Sequence, residues 1–86
     1  MYDELPNLER IESEIRHYDE FLPSNPSSHD AWHIRGHLLC KLKRYEQAIA
    51  SYDKVIEVKP DYAASWYERG LALTALGEFE AALMIF

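Results

Sequence analysis

Apolar residues at helical spacing run through almost the whole chain, in blocks separated by proline, glycine or basic breaks. Leu8, Ile11, Ile15, Tyr18 and Leu22, with Phe21 beside them, mark a first helix over Asn7 to Leu22. Leu5-Pro6-Asn7 reads as its start, with Asn7 able to cap and Glu9 near the positive end of the helix dipole. Pro23 and Pro26 stop it. Ser24 to Ser28 is a turn, and Ser28 or Asp30 can cap a second helix, His29 to Leu42. That helix carries Trp32, Gly36, Leu39 and Leu42 on one side. Lys43-Arg44 is a short connection to a third helix, Tyr45 to about Val58, which turns Ala48, Ile49, Tyr52, Val55 and Ile56 inward. Pro60-Asp61 breaks it. The next helix, Ala63 to Leu76, is expected to end at Gly77, the residue type that most easily adopts a left-handed C-terminal conformation. Glu78 to Phe86 then opens a further helix.

The blocks are copies. Trp32-x-x-Arg35-Gly36-x-x-Leu39, Ala48-x-x-x-Tyr52 and Pro60 recur as Trp66-x-x-Arg69-Gly70-x-x-Leu73 and Ala82-x-x-x-Phe86, shifted by about 34 residues. Leu42 and Leu76, Tyr45 and Phe79, and Glu46 and Glu80 share the register. Tyr18, Asp19 and Pro26 precede Tyr52, Asp53 and Pro60 by the same interval, so the first helix reads as the second half of a preceding unit. A glycine inside a helix costs about 1 kcal/mol against alanine. Its recurrence at Gly36 and Gly70 therefore implies close backbone crossings, faced by the small Ala48 and Ala82. Trp32, Trp66, Tyr45 and Phe79 are expected in the core beside them. Arg35 and Arg69 suggest an ion pair to a carboxylate on a neighbouring helix.

On these spaced positions the chain resembles the tetratricopeptide repeat family of helix-turn-helix units. The resemblance implies an all-α fold of antiparallel helix pairs stacked as a right-handed solenoid. It forms a single domain over 1–86: a partial repeat (1–26, second helix only), a full repeat (27–60) and a repeat truncated in its second helix (61–86). Arg35 and Arg69 depart from the family's usual leucine, Leu39 and Leu73 from a common tyrosine, and Lys43 from the usual turn glycine. The family's concave groove binds an extended peptide or helix of a partner protein. Its groove-facing positions fall here on Asp30, His33, Ile34, His37, Cys40 and Lys41, and on Ala64, Tyr67, Glu68, Leu71, Thr74 and Ala75. The clamp that holds chaperone C-termini needs a lysine and asparagines where this chain has His33, His37, Tyr67 and Leu71, so that variant is not expected. A peptide-binding scaffold is the first expectation. The alternative is a self-assembly segment that oligomerises through its uncapped stacking face. The apolar run Ala81 to Phe86 suggests a sticky end, and the pattern there reads as a piece of a longer repeat protein.

Composition narrows the partner. The net charge of −6 and pI near 5.1 argue against nucleic acid and against anionic membranes. One cysteine allows no internal disulfide, and no apolar run reaches bilayer length. The acidic start, Met1-Tyr2-Asp3-Glu4, is unlike a signal peptide, and a soluble cytoplasmic setting is expected.

Candidate chemistry is sparse. His29, His33 and His37 recur every four residues along one helix face, with Cys40 beyond. His33 and His37 could ligate a metal such as zinc, but no second cluster offers further ligands, and no metal or cofactor is expected. Three histidines on one face would repel each other when protonated near pH 6. His37 and Cys40 lack an orienting group and an oxyanion site, and no phosphate loop exists, so an enzyme is not expected.

Overall fold

The computed structural model describes the backbone of residues 4–85 and the side chains of residues 7–80. Within them the chain forms α1 (Glu4–Phe21), α2 (His29–Lys41), α3 (Tyr45–Val58) and α4 (Ala63–Ile85), and a short 3-10 turn, Leu22–Ser24, succeeds α1. No strand occurs among the described residues. The helix α1 begins earlier than the sequence implied, because Pro6 falls within its first turn, where a missing N–H costs little. The apolar run Ala81 to Phe86 lies outside the described side chains.

The core sits where α1, α2 and α3 meet. Ile15, Leu38, Leu39, Ala48 and Tyr52 form one buried cluster, with Ile11, Tyr18, Cys40 and Leu42 packed at its edge. Because α2 is packed by α1 and by α3, it buries Leu38 as well as the expected Leu39, and its apolar face is broad. The helix α3 buries Ala48, Ser51, Tyr52 and Val55, an i, i+3, i+4, i+7 stripe. Leu8 and Phe21, although on the apolar stripe of α1, remain partly in solvent.

The elements start and stop for identifiable reasons. The Ser28 hydroxyl accepts from the Ala31 N–H at 3.3 Å and caps α2. The Asn25 side chain donates to the Phe21 carbonyl, satisfying an end group of α1. At the other end of α2, the Arg44 N–H reaches the Leu39 carbonyl and the Lys43 N–H reaches that of Cys40, both at 2.9 Å. That is the doubly bonded helix ending which needs a left-handed residue, and Lys43 supplies it with φ 59.

Copied letters become copied contacts. Trp32 Nε1 donates to the Pro26 carbonyl at 2.8 Å, and Trp66 Nε1 to that of Pro60 at 2.7 Å. Arg35 Nε meets Asp19 Oδ1 at 2.8 Å, and Arg69 Nε meets Asp53 Oδ1 at 2.6 Å. The ion pair expected of the arginines is therefore present twice, each joining a first helix to the second helix of the unit before.

Three expectations need correction. The helix from Ala63 does not end at Gly77; α4 continues through it to Ile85, and Gly77 has no positive φ. A Cβ on Gly36 would meet the ring of Tyr52 at 2.7 Å, so the close neighbour is that ring rather than Ala48. Trp66 is 50% exposed and Phe79 63%, not core, because no described helix folds back over them.

Candidate functional site

The candidate groove runs along α2 and α4, and its residues separate into a polar floor and an exposed rim. At the floor, the Glu68 carboxylate of α4 gathers donors from two other helices. Oε2 accepts from His33 Nε2 at 3.0 Å. Oε1 accepts from His37 Nδ1 at 3.0 Å and from the Tyr52 hydroxyl at 3.1 Å. His33 Nδ1 lies 2.7 Å from the hydroxyl of Ser65, which is fully buried. A neutral His33 with its proton on Nε2 satisfies both contacts, since the Ser65 hydroxyl then donates to Nδ1. Rings of Tyr52 and Tyr62 stand against His33, at centroid distances of 5.6 and 5.4 Å. Among the described residues no buried side-chain nitrogen or oxygen lacks a partner.

The i, i+4 spacing of His33 and His37 thus serves one carboxylate. Among the described residues no group of three or more His, Cys, Asp or Glu side chains is arranged to hold a metal ion. The histidines also do not simply face one another: His29 lies 3.3 Å from Asp30, and the other two face Glu68.

Burial dominates the chemistry of the two remaining groups. It pushes the Cys40 thiol above its ordinary value of 9.0, opposed by its hydrogen bond with Tyr52, with the Glu68 charge raising it further. The sulfur stands 3.8 Å from the Tyr52 oxygen. Burial likewise raises Tyr52 far above its ordinary value of 10.0, with Cys40 and Glu68 adding in the same direction. A thiol held protonated is a poor nucleophile and a poor metal ligand.

The rim is apolar and open. Tyr67 is 69% exposed, Leu71 53% and Ile34 39%. Leu71, Ala72 and Ala75 of α4 face His37 and Cys40 of α2 and Tyr45 of α3 across a cleft of about 330 Å³, with Glu68 at its edge. The structure therefore brings together His33, His37, Glu68 and Leu71. Asp30 stands apart on the first turn of α2 beside His29. Lys41 is also apart, in a hollow shared with Asn7, Ile11 and Glu14 of α1.

Sequence reasoning missed Ser65 and the Tyr52 hydroxyl. The available signal was Ser65 itself, a polar residue at the repeat position where the first unit has Ala31.

Comparison with known families agrees with this architecture. A family model described as TPR repeat matches residues 36–77, and one described as Tetratricopeptide repeat matches residues 17–50. No curated protein matches the sequence. Among the described residues no helix is long and apolar enough to cross a membrane.

Proposed function

Because the chain belongs to the tetratricopeptide repeat family, whose repeats generally mediate protein–protein interaction and are generally non-catalytic, we propose that α2 and α4 hold a segment of a partner protein between them. One observation carries this reading. Leu71 stays in solvent at a cleft whose polar residues, His37 and Glu68, are already hydrogen-bonded within the chain, and the exposed Tyr67 stands one helical turn before it on α4. An apolar side chain of the partner can enter there without stranding a polar group.

The roles divide accordingly. Ile34, Tyr67 and Leu71 supply apolar contact, and His37, the more exposed of the two floor histidines, meets the partner's polar backbone. His33 and Glu68 act through position: both ring nitrogens and both carboxylate oxygens are engaged internally, which fixes α4 against α2.

Panning a random peptide display library on the immobilised chain tests this. Selected peptides should lose at least about tenfold in affinity for Tyr67→Ala and Leu71→Ala, as expected for central apolar contacts. Peptides bound equally by both variants, or no selection at all, would overturn it.

A second reading is self-association through α4, where Trp66, Leu73 and Phe79 are exposed among the described residues.

A further inference from the structure

The donors and acceptors around Glu68 do not balance, and the surplus is all of one kind. A carboxylate accepts about four hydrogen bonds. Glu68 receives three: His33 Nε2 at Oε2, and His37 Nδ1 with the Tyr52 hydroxyl at Oε1. One acceptor site is left, on Oε2, and the Glu68 side chain is 26% exposed. His37 gives its Nδ1 proton to Glu68, so in the neutral ring Nε2 carries a lone pair. That side chain is 52% exposed.

The donors are spent. The Nε2 proton of His33 goes to Glu68, and its Nδ1 takes the proton of Ser65. The Tyr52 hydroxyl gives its proton to Glu68. Around this carboxylate the floor can therefore accept from an incoming group but cannot donate to it. An incoming carboxylate would meet lone pairs and a like charge, whereas an N–H finds two acceptors.

Charge points the same way. No lysine or arginine among the described residues pairs with Glu68. Arg69, the one basic residue of α4, is held by Asp53 at 2.6 Å. Arg35 of α2 is held by Asp19 and the Ser51 hydroxyl, and Lys41 lies in a hollow against α1. The chain as a whole carries −6, which favours the approach of a basic segment. Beside Glu68, the cleft of about 330 Å³ is walled by Leu71, Ala72 and Ala75, surface that suits the methylene stem of a long side chain.

We propose that the groove selects partner segments carrying an arginine, or less well a lysine. The stem lies along Leu71, Ala72 and Ala75, the head donates to Glu68 Oε2, and His37 Nε2 accepts a second N–H from the same residue. The proposal rests on the partner-segment reading above and names the chemistry of what enters. The apolar part admitted to the cleft is then the stem of a basic side chain. Arginine is preferred because its planar fork spreads several donors over two separate acceptors, where lysine is a point charge. Binding leaves the internal hydrogen bonds of Glu68 in place, since the head takes only the sites they leave free.

Peptides selected from a random display library on the wild-type chain test this. They should be rich in arginine and poor in aspartate and glutamate. In a synthetic copy of one such peptide, replacing its arginine by citrulline keeps the shape and removes the charge. Affinity measured by fluorescence anisotropy should fall by about tenfold, as expected for a hydrogen bond to a charged group. The same exchange should cost much less against Glu68→Gln, with its helix content checked by circular dichroism. Added salt should weaken the arginine peptide more than the citrulline one. If Glu68→Gln fails to fold, the citrulline exchange on the wild-type chain decides alone, and equal affinity overturns the proposal. An equal loss on both chains would place the arginine elsewhere and overturn it too. Selected peptides that depend on Tyr67 and Leu71 but show no excess of basic residues would overturn only this chemistry and leave the groove standing. No selection at all would remove the groove reading and the proposal with it.

Discussion

Lys43 and Gly77 stand at the same place in the repeat, and the chain does opposite things at them. At Lys43 it turns, although a left-handed backbone costs a residue with a Cβ about 1–2 kcal/mol. At Gly77, where that conformation is nearly free, α4 continues as helix. Local preference therefore does not decide where this chain reverses. The downstream residues do. After Lys43 come Ala48, Tyr52 and Val55, all fully buried, and two backbone bonds that close the end of α2. After Gly77 no described side chain makes an equivalent contact, and Gly70 has an open space where Gly36 has an aromatic ring. Packing turns the chain, and glycine only makes the turn easier.

The largest expected effect comes from removing the ring that distinguishes the two units. Tyr52→Ala takes away a fully buried side chain, its contact with Gly36 and its hydrogen bond to Glu68. Losses for large buried aromatics run about 3–5 kcal/mol, much of the stability of a domain this small. Urea denaturation at 25 °C should find the variant largely unfolded without denaturant. Retained cooperative unfolding within about 1 kcal/mol of the parent, well below that range, would mean that α3 is held by something other than this ring.

The paired glycines come next, because the same substitution should have opposite signs. Gly36→Ala drives a Cβ into the Tyr52 ring at 2.7 Å, and that ring has no solvent to retreat into. Overpacking costs about 1–3 kcal/mol, against about 1 kcal/mol gained in helix preference. A net loss is expected. Gly70→Ala meets nothing and should gain about 0.5–1 kcal/mol. Chemical denaturation of both variants, at a protein concentration where the chain is monomeric, compares them. Equal signs would erase the distinction between the units.

These residues also show how far the sequence could be read. The sequence located the starts of α2, α3 and α4 but placed a further start at Glu78 that does not occur, and its repeat register anticipated the ion pairs of Arg35 and Arg69, because a copied letter usually makes a copied contact. It failed where a copied letter lacks its partner. Trp66, Leu73 and Phe79 carry core letters and lie in solvent. The groove was legible as a set of positions but not as a site. Nothing in the spacing of His33 and His37 reveals that Glu68, on another helix, engages both, or that Tyr52 supplies a third donor. Such contacts depend on how α4 crosses α2, and helical periodicity carries no information about that crossing.

The turn itself offers a smaller test with a defined sign at each end. Lys43→Gly keeps the backbone bonds and removes the Cβ penalty, for a gain of up to about 1 kcal/mol once the greater freedom of the unfolded glycine is subtracted. That corresponds to a melting midpoint roughly 4–8 °C higher in a domain this size. Gly77→Ala should also stabilise, by about 0.5–1 kcal/mol, because Gly77 lies inside a continuous helix. If the chain turned at Gly77 in solution, alanine there would be strained and the variant would melt lower.

The smallest effect near neutrality grows at alkaline pH and belongs to the contact that holds Tyr52 in place. Cys40 and Tyr52 are acids whose neutral forms the fold favours, chiefly through burial. Between their ordinary values and their raised ones the folded chain keeps protons that the unfolded chain releases, so stability falls as pH rises. Their contribution is fully present below the unfolded-state values and is lost upward from pH 9.0 for the thiol and from 10.0 for the phenol. Melting midpoints should therefore be level from neutrality to pH 9.0 in these two groups and drop by a few degrees just above it. In Cys40→Ala the onset should move toward the phenol's 10.0. Alkylation supplies an independent reading of the same thiol: Cys40 in the folded chain should react with iodoacetamide far more slowly than in urea. Equal rates would show that burial neither protects the sulfur nor weakens its acidity, and the alkaline loss would then have to originate elsewhere in the molecule.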